Sequence, residues 1–213
     1  MLKYQALIFD LDGTLSDSVP MILKSSESVH QRMELPWQAE EVSAFIGRPL
    51  TETAAAFAPG REQEYLNYFR EYNLLYMPKM IRPFPGILSL LAKLQERGVR
   101  LGIVTSRHQW GADWSVELLG IQAYFDCVIG VEATERHKPE PEPALLALNK
   151  LGADPADAIF IGDAPVDIAC GKAAGMRTIA VSWGVSSRER LMAAEPDWFC
   201  NTTADLQRLL LLD

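Results

Sequence analysis

Cysteine is scarce in this chain. Cys127, Cys170 and Cys200 are the three present, too few and too scattered for a disulfide framework or a paired-cysteine metal site. Their scarcity suits a reducing compartment, and a cytoplasmic location is expected. Each reads as an inert thiol, either buried or on a neutral surface. Long apolar runs are missing too. No stretch approaches the roughly 20 residues that a membrane-crossing helix needs. The first apolar run, Ala6–Phe9, is too short for a secretory leader and meets Asp10 at once. Positive charge is in deficit. Lys and Arg number 20 against 28 Asp and Glu, a net charge of −8, and the isoelectric point is near 5.0. A global field of this sign excludes binding to nucleic acid or an anionic membrane through the whole surface. It leaves room for a local cationic pocket that takes a small anion. Internal repeats and low-complexity tracts are also absent.

What remains is ordinary globular composition. The 213 residues are 48% hydrophobic and 23% charged, which suits one domain, or one domain carrying a second small one. Short apolar runs, Ala6–Phe9, Val99–Val104, Cys127–Gly130, Ile159–Gly162 and Thr178–Val181, read as strands. Several lack alternation, as strands covered on both faces do. Between them Gly86–Arg97, Gln109–Leu119, Pro141–Leu151 and Asp167–Ala174 read as helices, with apolar residues three and four apart. Gly98, Gly120, Gly152 and Gly175 follow those helices, where a left-handed residue closes the last turn. This alternation predicts an α/β fold, a Rossmann-like doubly wound parallel sheet. Residues 16–82 break the rhythm. They carry no strand pattern and end in the cluster Pro78, Pro83, Pro85 and Gly86. The expected division is an α/β core of residues 1–15 and 83–213, with 16–82 as an inserted helical domain.

Acidic residues gather at the expected strand ends. Asp10 and Asp12 follow the first strand, and Asp163 and Asp167 follow Ile159–Gly162. In an open α/β sheet, ligands bind outside the carboxyl ends of the strands. An isolated pair of this kind often only caps a loop, and Asp167 also suits the N-cap of the helix through Ala174. If Asp10, Asp12 and Asp163 converge, they require a cation. Two like charges about 4 Å apart repel by about 4 kcal/mol at an effective dielectric near 20. All-oxygen ligands favour a hard ion such as Mg²⁺, which also binds phosphate. Thr105 and Ser106, after Val99–Val104, offer hydroxyls and backbone N–H groups to an anion, or cap the next helix. Lys138, stiffened by the prolines of KPEPEP, is either a solvated surface charge or a cation for both carboxylate and phosphate.

Together these motifs resemble those of the haloacid dehalogenase-like phosphatase superfamily. FDLDGTLSDS resembles its first motif, Thr105 or Ser106 the second, Lys138 with the following proline the third, and GDAPVD the fourth. The likeness runs in order through the α/β core. The insert resembles the helical cap of the phosphoglycolate phosphatase-like branch. The resemblance implies Asp10 as a nucleophile that forms an aspartyl-phosphate, and Asp12 as general acid and then base. It implies Mg²⁺ held by the carboxylates of Asp10 and Asp163 and the backbone carbonyl of Asp12. Asp167 would support the metal or orient Lys138, and Thr105 or Ser106 would hold phosphoryl oxygens. The acid at position 12 argues against the family's dehalogenases. Ala164-Pro165 departs from the fourth motif, which often carries a hydroxyl there.

The cap is expected to choose the substrate. Its loop Phe45–Thr53 places Arg48 either on the surface or as a clamp on an anionic leaving group. His108, Trp110 and Trp183 either rim the pocket or belong to the core. The expected partner is a small phosphorylated molecule, bound by a monomer or homodimer. Phosphoglycolate suits the cap type. Inorganic pyrophosphate is a second candidate, because FIGRPLTET, FREYN, KPEPEP and VSWG resemble a bacterial pyrophosphatase of this branch. A β-phosphoglucomutase is a third, and a non-catalytic phosphate- or metal-binding module stands outside the enzymes.

Overall fold

The computed structural model describes residues 4–211. Six strands form one parallel sheet: β1 (Ala6–Phe9), β2 (Arg100–Val104), β3 (Cys127–Ile129), β4 (Ala158–Gly162), β5 (Arg177–Val181) and β6 (Trp198–Cys200). Their order is β3-β2-β1-β4-β5-β6. The chain therefore winds outward from β1 in both directions, which opens a crevice at the carboxyl ends of β1 and β4. The helices are α1 (Val19–Arg32), α2 (Ala39–Ser43), α3 (Leu50–Phe57), α4 (Glu62–Met80), α5 (Ile87–Glu96), α6 (Gln109–Leu118), α7 (Glu142–Leu151), α8 (Pro165–Ala173), α9 (Arg188–Ala193) and α10 (Thr203–Leu211).

The unbroken apolar strands are explained by cover on both faces. Leu7 and Phe9 of β1 pack in one cluster with Ile87, Leu90, Leu91 and Leu94 of α5 and Leu206 and Leu210 of α10. Ala6 and Ile8 point to the opposite cluster, with Ala144, Ala147, Leu148 and Leu151 of α7. The buried α5 residues recur every three or four positions, the spacing of one helical face. Each fully buried Leu, Ile or Phe contributes about 1.5–3 kcal/mol. Gly98, Gly120, Gly152 and Gly175 all take positive φ after their helices. The three cysteines are buried free thiols. Burial pushes them up, Cys127 and Cys200 to about 11 and Cys170 to about 12.

Two features depart from the expectation. Strand β6 was not foreseen, because its three residues carry too little pattern. Helix α8 starts at Pro165 with Ala164 as its N-cap, so Asp167 lies inside the first turn. Its carboxylate reaches back to accept the N–H of Ala164 at 3.0 Å.

Helices α1 to α4 form a separate layer with an apolar cluster of their own: Val29, Met33, Ala54, Ala58 and Tyr65. The chain leaves and re-enters the sheet at one place. Ser16 bridges to Asp12 and to Pro83, and Asp17 donates its N–H to the Arg82 carbonyl at 2.8 Å. Among the described residues, no helix is long and apolar enough to cross a membrane.

Candidate active site

Register builds the site. Phe9 lies opposite both Ile103 and Ile161. The next residues, Asp10, Val104 and Gly162, therefore stand side by side at the carboxyl edge of the sheet, with Thr105 and Asp163 one step further on. Lys138 arrives from the loop after β3 and is only 3% exposed. Its Nζ donates to Asp10 Oδ1 at 2.6 Å and to Asp167 Oδ1 at 2.7 Å. The Ala164 N–H holds the other oxygen of Asp167, so both oxygens of that carboxylate are engaged. Among the described residues no donor reaches Asp10 Oδ2.

Asp163 is held from two sides. Its Oδ1 accepts Thr14 Oγ1 at 3.2 Å, and its Oδ2 accepts the Val185 N–H at 2.7 Å. Two glycines let the backbone come this close. A Cβ on Gly13, whose φ is +86°, would stand 2.3 Å from Asp163 Oδ2, and one on Gly184 would stand 2.1 Å from it. No L-side chain fits at either place without moving the carboxylate. Gly184 and Val185 escaped the sequence reading. Their role depends on the loop after β5 folding across the end of β4, which local pattern does not encode.

Asp12 stands apart from this buried group. Arg107 clamps it with two bonds, Nε to Oδ2 at 2.6 Å and Nη2 to Oδ1 at 2.7 Å. Ser18 Oγ donates to Oδ1 at 2.5 Å. The sequence reading gave Arg107 no role. Thr105 is buried and its hydroxyl oxygen accepts the Arg107 N–H at 3.2 Å. Ser106 donates its hydroxyl to the Gly47 carbonyl at 2.7 Å, tying the strand end to the α2–α3 loop. A Cβ on Gly47 would lie 3.2 Å from Ala164 Cβ, so the small residue in the fourth motif lets that loop settle there.

A cavity of about 250 Å³ lies between the strand ends and the helical layer. Asp10, Asp12, Thr105 and Arg107 line its floor, and Phe45, Leu66 and Phe69 make much of the opposite wall apolar. Arg48, His108 and Trp110 also line it. Arg48 is half-exposed and lies 3.7 Å from Glu52. Trp183 does not line the cavity. Its indole N–H donates to the Thr14 carbonyl at 3.1 Å, and its ring meets Phe84 edge-on.

The charges do not balance. Asp10, Asp12, Asp163 and Asp167 face two cations, Lys138 and Arg107. Oxygens of Asp10, Asp163 and Asp167 lie within 4.8 Å of one another. Burial holds the Asp10 carboxyl well above the usual range; Lys138 opposes this, and Asp167, Asp163 and Asp12 add to it. Burial, then Asp167, pushes Asp163 up to about 7. Lys138 stays above the ordinary lysine range despite its burial, because Asp10 and Asp167 embrace it. An all-oxygen group short of positive charge fits a hard divalent cation such as Mg²⁺.

With this geometry in view, likeness to known proteins decides the family. A sequence model of haloacid dehalogenase-like hydrolases matches residues 7–181. The chain belongs to the haloacid dehalogenase-like hydrolase family. A Caldanaerobacter subterraneus protein, provisionally named pyrophosphatase PpaX, is 35% identical over 210 residues, covering 98% of this chain and 96% of that one. The pyrophosphatase PpaX of Bacillus velezensis is 34% identical and covers 96% of this chain and 95% of its own. Among solved structures, a haloacid dehalogenase-like family hydrolase of Streptococcus pneumoniae shares the fold. Its TM-score is 0.87 at 24% identity, covering 99% of this chain and all of the other.

The raised carboxyls predict that this hydrolase's stability depends on pH and on a bound cation together. Asp163 titrates near 7 when folded and near 3.9 when unfolded. Between those values the native state keeps a proton that the unfolded chain has lost, so the group's contribution to stability falls as pH rises through that window. A divalent cation held among these carboxylates would oppose that loss. Thermal melts with and without Mg²⁺ should therefore show a larger gain in Tm at pH 8 than at pH 5. An equal gain at both values would mean that these carboxylates do not hold the ion.

Proposed function

We propose that this hydrolase removes phosphoryl groups from small phosphorylated molecules through an aspartyl-phosphate on Asp10, with Mg²⁺ at the acidic group. The buried Lys138 bridge between Asp10 and Asp167 carries the reading. It holds one oxygen of Asp10, leaving Oδ2 free to attack, and sets a cation where phosphoryl oxygens would lie. The Asp10 oxygen forms its bond to phosphorus as the bond to the leaving oxygen breaks. The Asp12 carboxyl protonates that oxygen, then as carboxylate takes a proton from water. Water's attack breaks the acyl-phosphate bond and returns the electron pair to Asp10. Thr105, whose N–H is held by the Ile129 carbonyl at 3.0 Å, would bind phosphoryl oxygens through its hydroxyl, while Ser106, whose hydroxyl is spent on Gly47, would contribute chiefly its N–H.

Asp10, Asp163 and the Asp12 carbonyl would hold Mg²⁺, and Asp167 would orient Lys138. The ion, when bound, supplies charge neutralisation on the transferring group. We take residues 16–82 as a cap that covers the site and excludes water. Inorganic pyrophosphate is the substrate we infer, because relatives named as pyrophosphatases match along nearly the whole chain. Phosphoglycolate is the second reading, resting on the cap type.

The test uses a panel at fixed Mg²⁺: pyrophosphate, phosphoglycolate, a hexose phosphate and p-nitrophenyl phosphate. The expected result is Mg²⁺-dependent turnover, with kcat/KM for pyrophosphate at least roughly tenfold above the others, about 1.4 kcal/mol of discrimination. Preference for phosphoglycolate would select the second reading. No turnover of any compound by folded, Mg²⁺-loaded protein would favour a binding module.

A further inference from the structure

Arg107 stands out because the scheme above does not use it. Its side chain is only 14% exposed and lines the cavity. Nε and Nη2 are committed to Asp12. Among the described residues, the remaining arm, Nη1, meets only the thioether sulfur of Met77 at 3.5 Å. A thioether is a weak acceptor. A guanidinium arm at the cavity wall that meets no oxygen of the protein is available to an oxygen of a bound ligand.

Its place limits what that ligand is. Arg107 sits against Asp12, the residue assigned to the leaving oxygen, and not against Lys138 and Asp10, where the transferred group would lie. An anion bound at Nη1 therefore belongs to the leaving side of the substrate. The bidentate grip of Asp12 fixes the plane of the guanidinium, so Nη1 points one way without further loss of side-chain freedom. The other cavity arginines are less constrained: Arg48 is half-exposed beside Glu52, and Arg70 lies over the Trp110 ring at 5.6 Å.

We propose that Arg107 is a specificity-determining residue whose free Nη1 arm binds an anionic leaving group, so that the site prefers phosphates whose leaving group itself carries negative charge. Such a leaving group is a second phosphate or a carboxylate-bearing alcohol. A sugar or glycerol leaving group is neutral and leaves Nη1 unpaired. This inference rests on the phosphohydrolase reading and narrows its substrate class.

Wild type, Arg107→Lys and Arg107→Met are compared at fixed Mg²⁺ on pyrophosphate and on glycerol 3-phosphate, whose leaving group is neutral. Circular dichroism and thermal melts check folding. The readout is the ratio of kcat/KM for pyrophosphate to that for glycerol 3-phosphate. It should fall at least roughly thirtyfold in Arg107→Met, about 2 kcal/mol at 1.4 kcal/mol per decade. Arg107→Lys should recover part of it, because lysine keeps the charge but not the fork. An equal fall on both substrates would mean that Arg107 acts only by holding Asp12, and would overturn the proposal. A ratio unchanged because neither rate falls would overturn it as well. If wild type hydrolyses neither compound nor p-nitrophenyl phosphate, the phosphohydrolase reading itself has failed.

Discussion

Asp10→Asn should abolish turnover while leaving the fold intact. The substitution keeps shape and removes the nucleophile, because an amide oxygen lacks the charge that drives attack on phosphorus. The rate should fall by a factor on the order of 10⁴ or more, the scale seen when a covalent nucleophile is lost. Stability should move the other way in metal-free buffer. Asp10 is crowded by burial and by Asp167, Asp163 and Asp12, so neutralising it relieves repulsion, and its oxygen can still accept from Lys138. The measurement pairs steady-state hydrolysis of pyrophosphate with a thermal melt. A variant that retains near-wild-type turnover would assign the attack to another group. One that loses activity because it has unfolded would say nothing about attack, which is why the melt accompanies it.

Lys138→Met should show the largest loss of stability. Its side chain is 2% exposed and its ammonium lies within 2.7 Å of two buried carboxylates. Methionine leaves Asp10, Asp163 and Asp167 together with no cation beside them. Removing one partner of a buried pair costs about 3–5 kcal/mol, because the remaining charge is stranded. Urea denaturation without metal should show this as a lower midpoint, and Mg²⁺ should restore part of it. The rate should fall about 10²–10³-fold, the typical effect of deleting one group that stabilises transition-state charge. Adding Asp167→Asn removes one of the stranded charges. The double variant should regain stability but not rate, since neighbouring substitutions of this kind are not additive. A double variant no more stable than the single one would show that ion pairing is not what Lys138 contributes.

The two predictions draw on different levels of information. Strands such as Ala6–Phe9 and Ile159–Gly162 were legible because burial on both faces leaves an unbroken apolar run, and that is a local property. So were the helices closed by Gly98, Gly120, Gly152 and Gly175, and the acids that end β1 and β4. A chain-order argument then placed Asp10 and Asp163 at one edge of the sheet, since parallel strands expose their carboxyl ends together. The length of α8 was partly misread at Asp167, because an acid in the first turn and an acid at the cap look alike in sequence. Strand β6 was missed because three residues carry no periodicity.

What the linear sequence determined is the scaffold and the inventory of charges at its rim. Only the folded chain decided how those charges divide: Lys138 on Asp10 and Asp167, Arg107 on Asp12, Ser106 turned to Gly47, and the loop after β5 closing on Asp163 through Gly184 and Val185. Trp183 became a strut for Thr14 rather than a wall of the cavity by the same route. The physical reason is range. Periodicity and capping are set by neighbours within a turn or a pleat, whereas the direction of a loop side chain is set by partners scores of residues away, as Lys138 and Asp10 are, 128 positions apart.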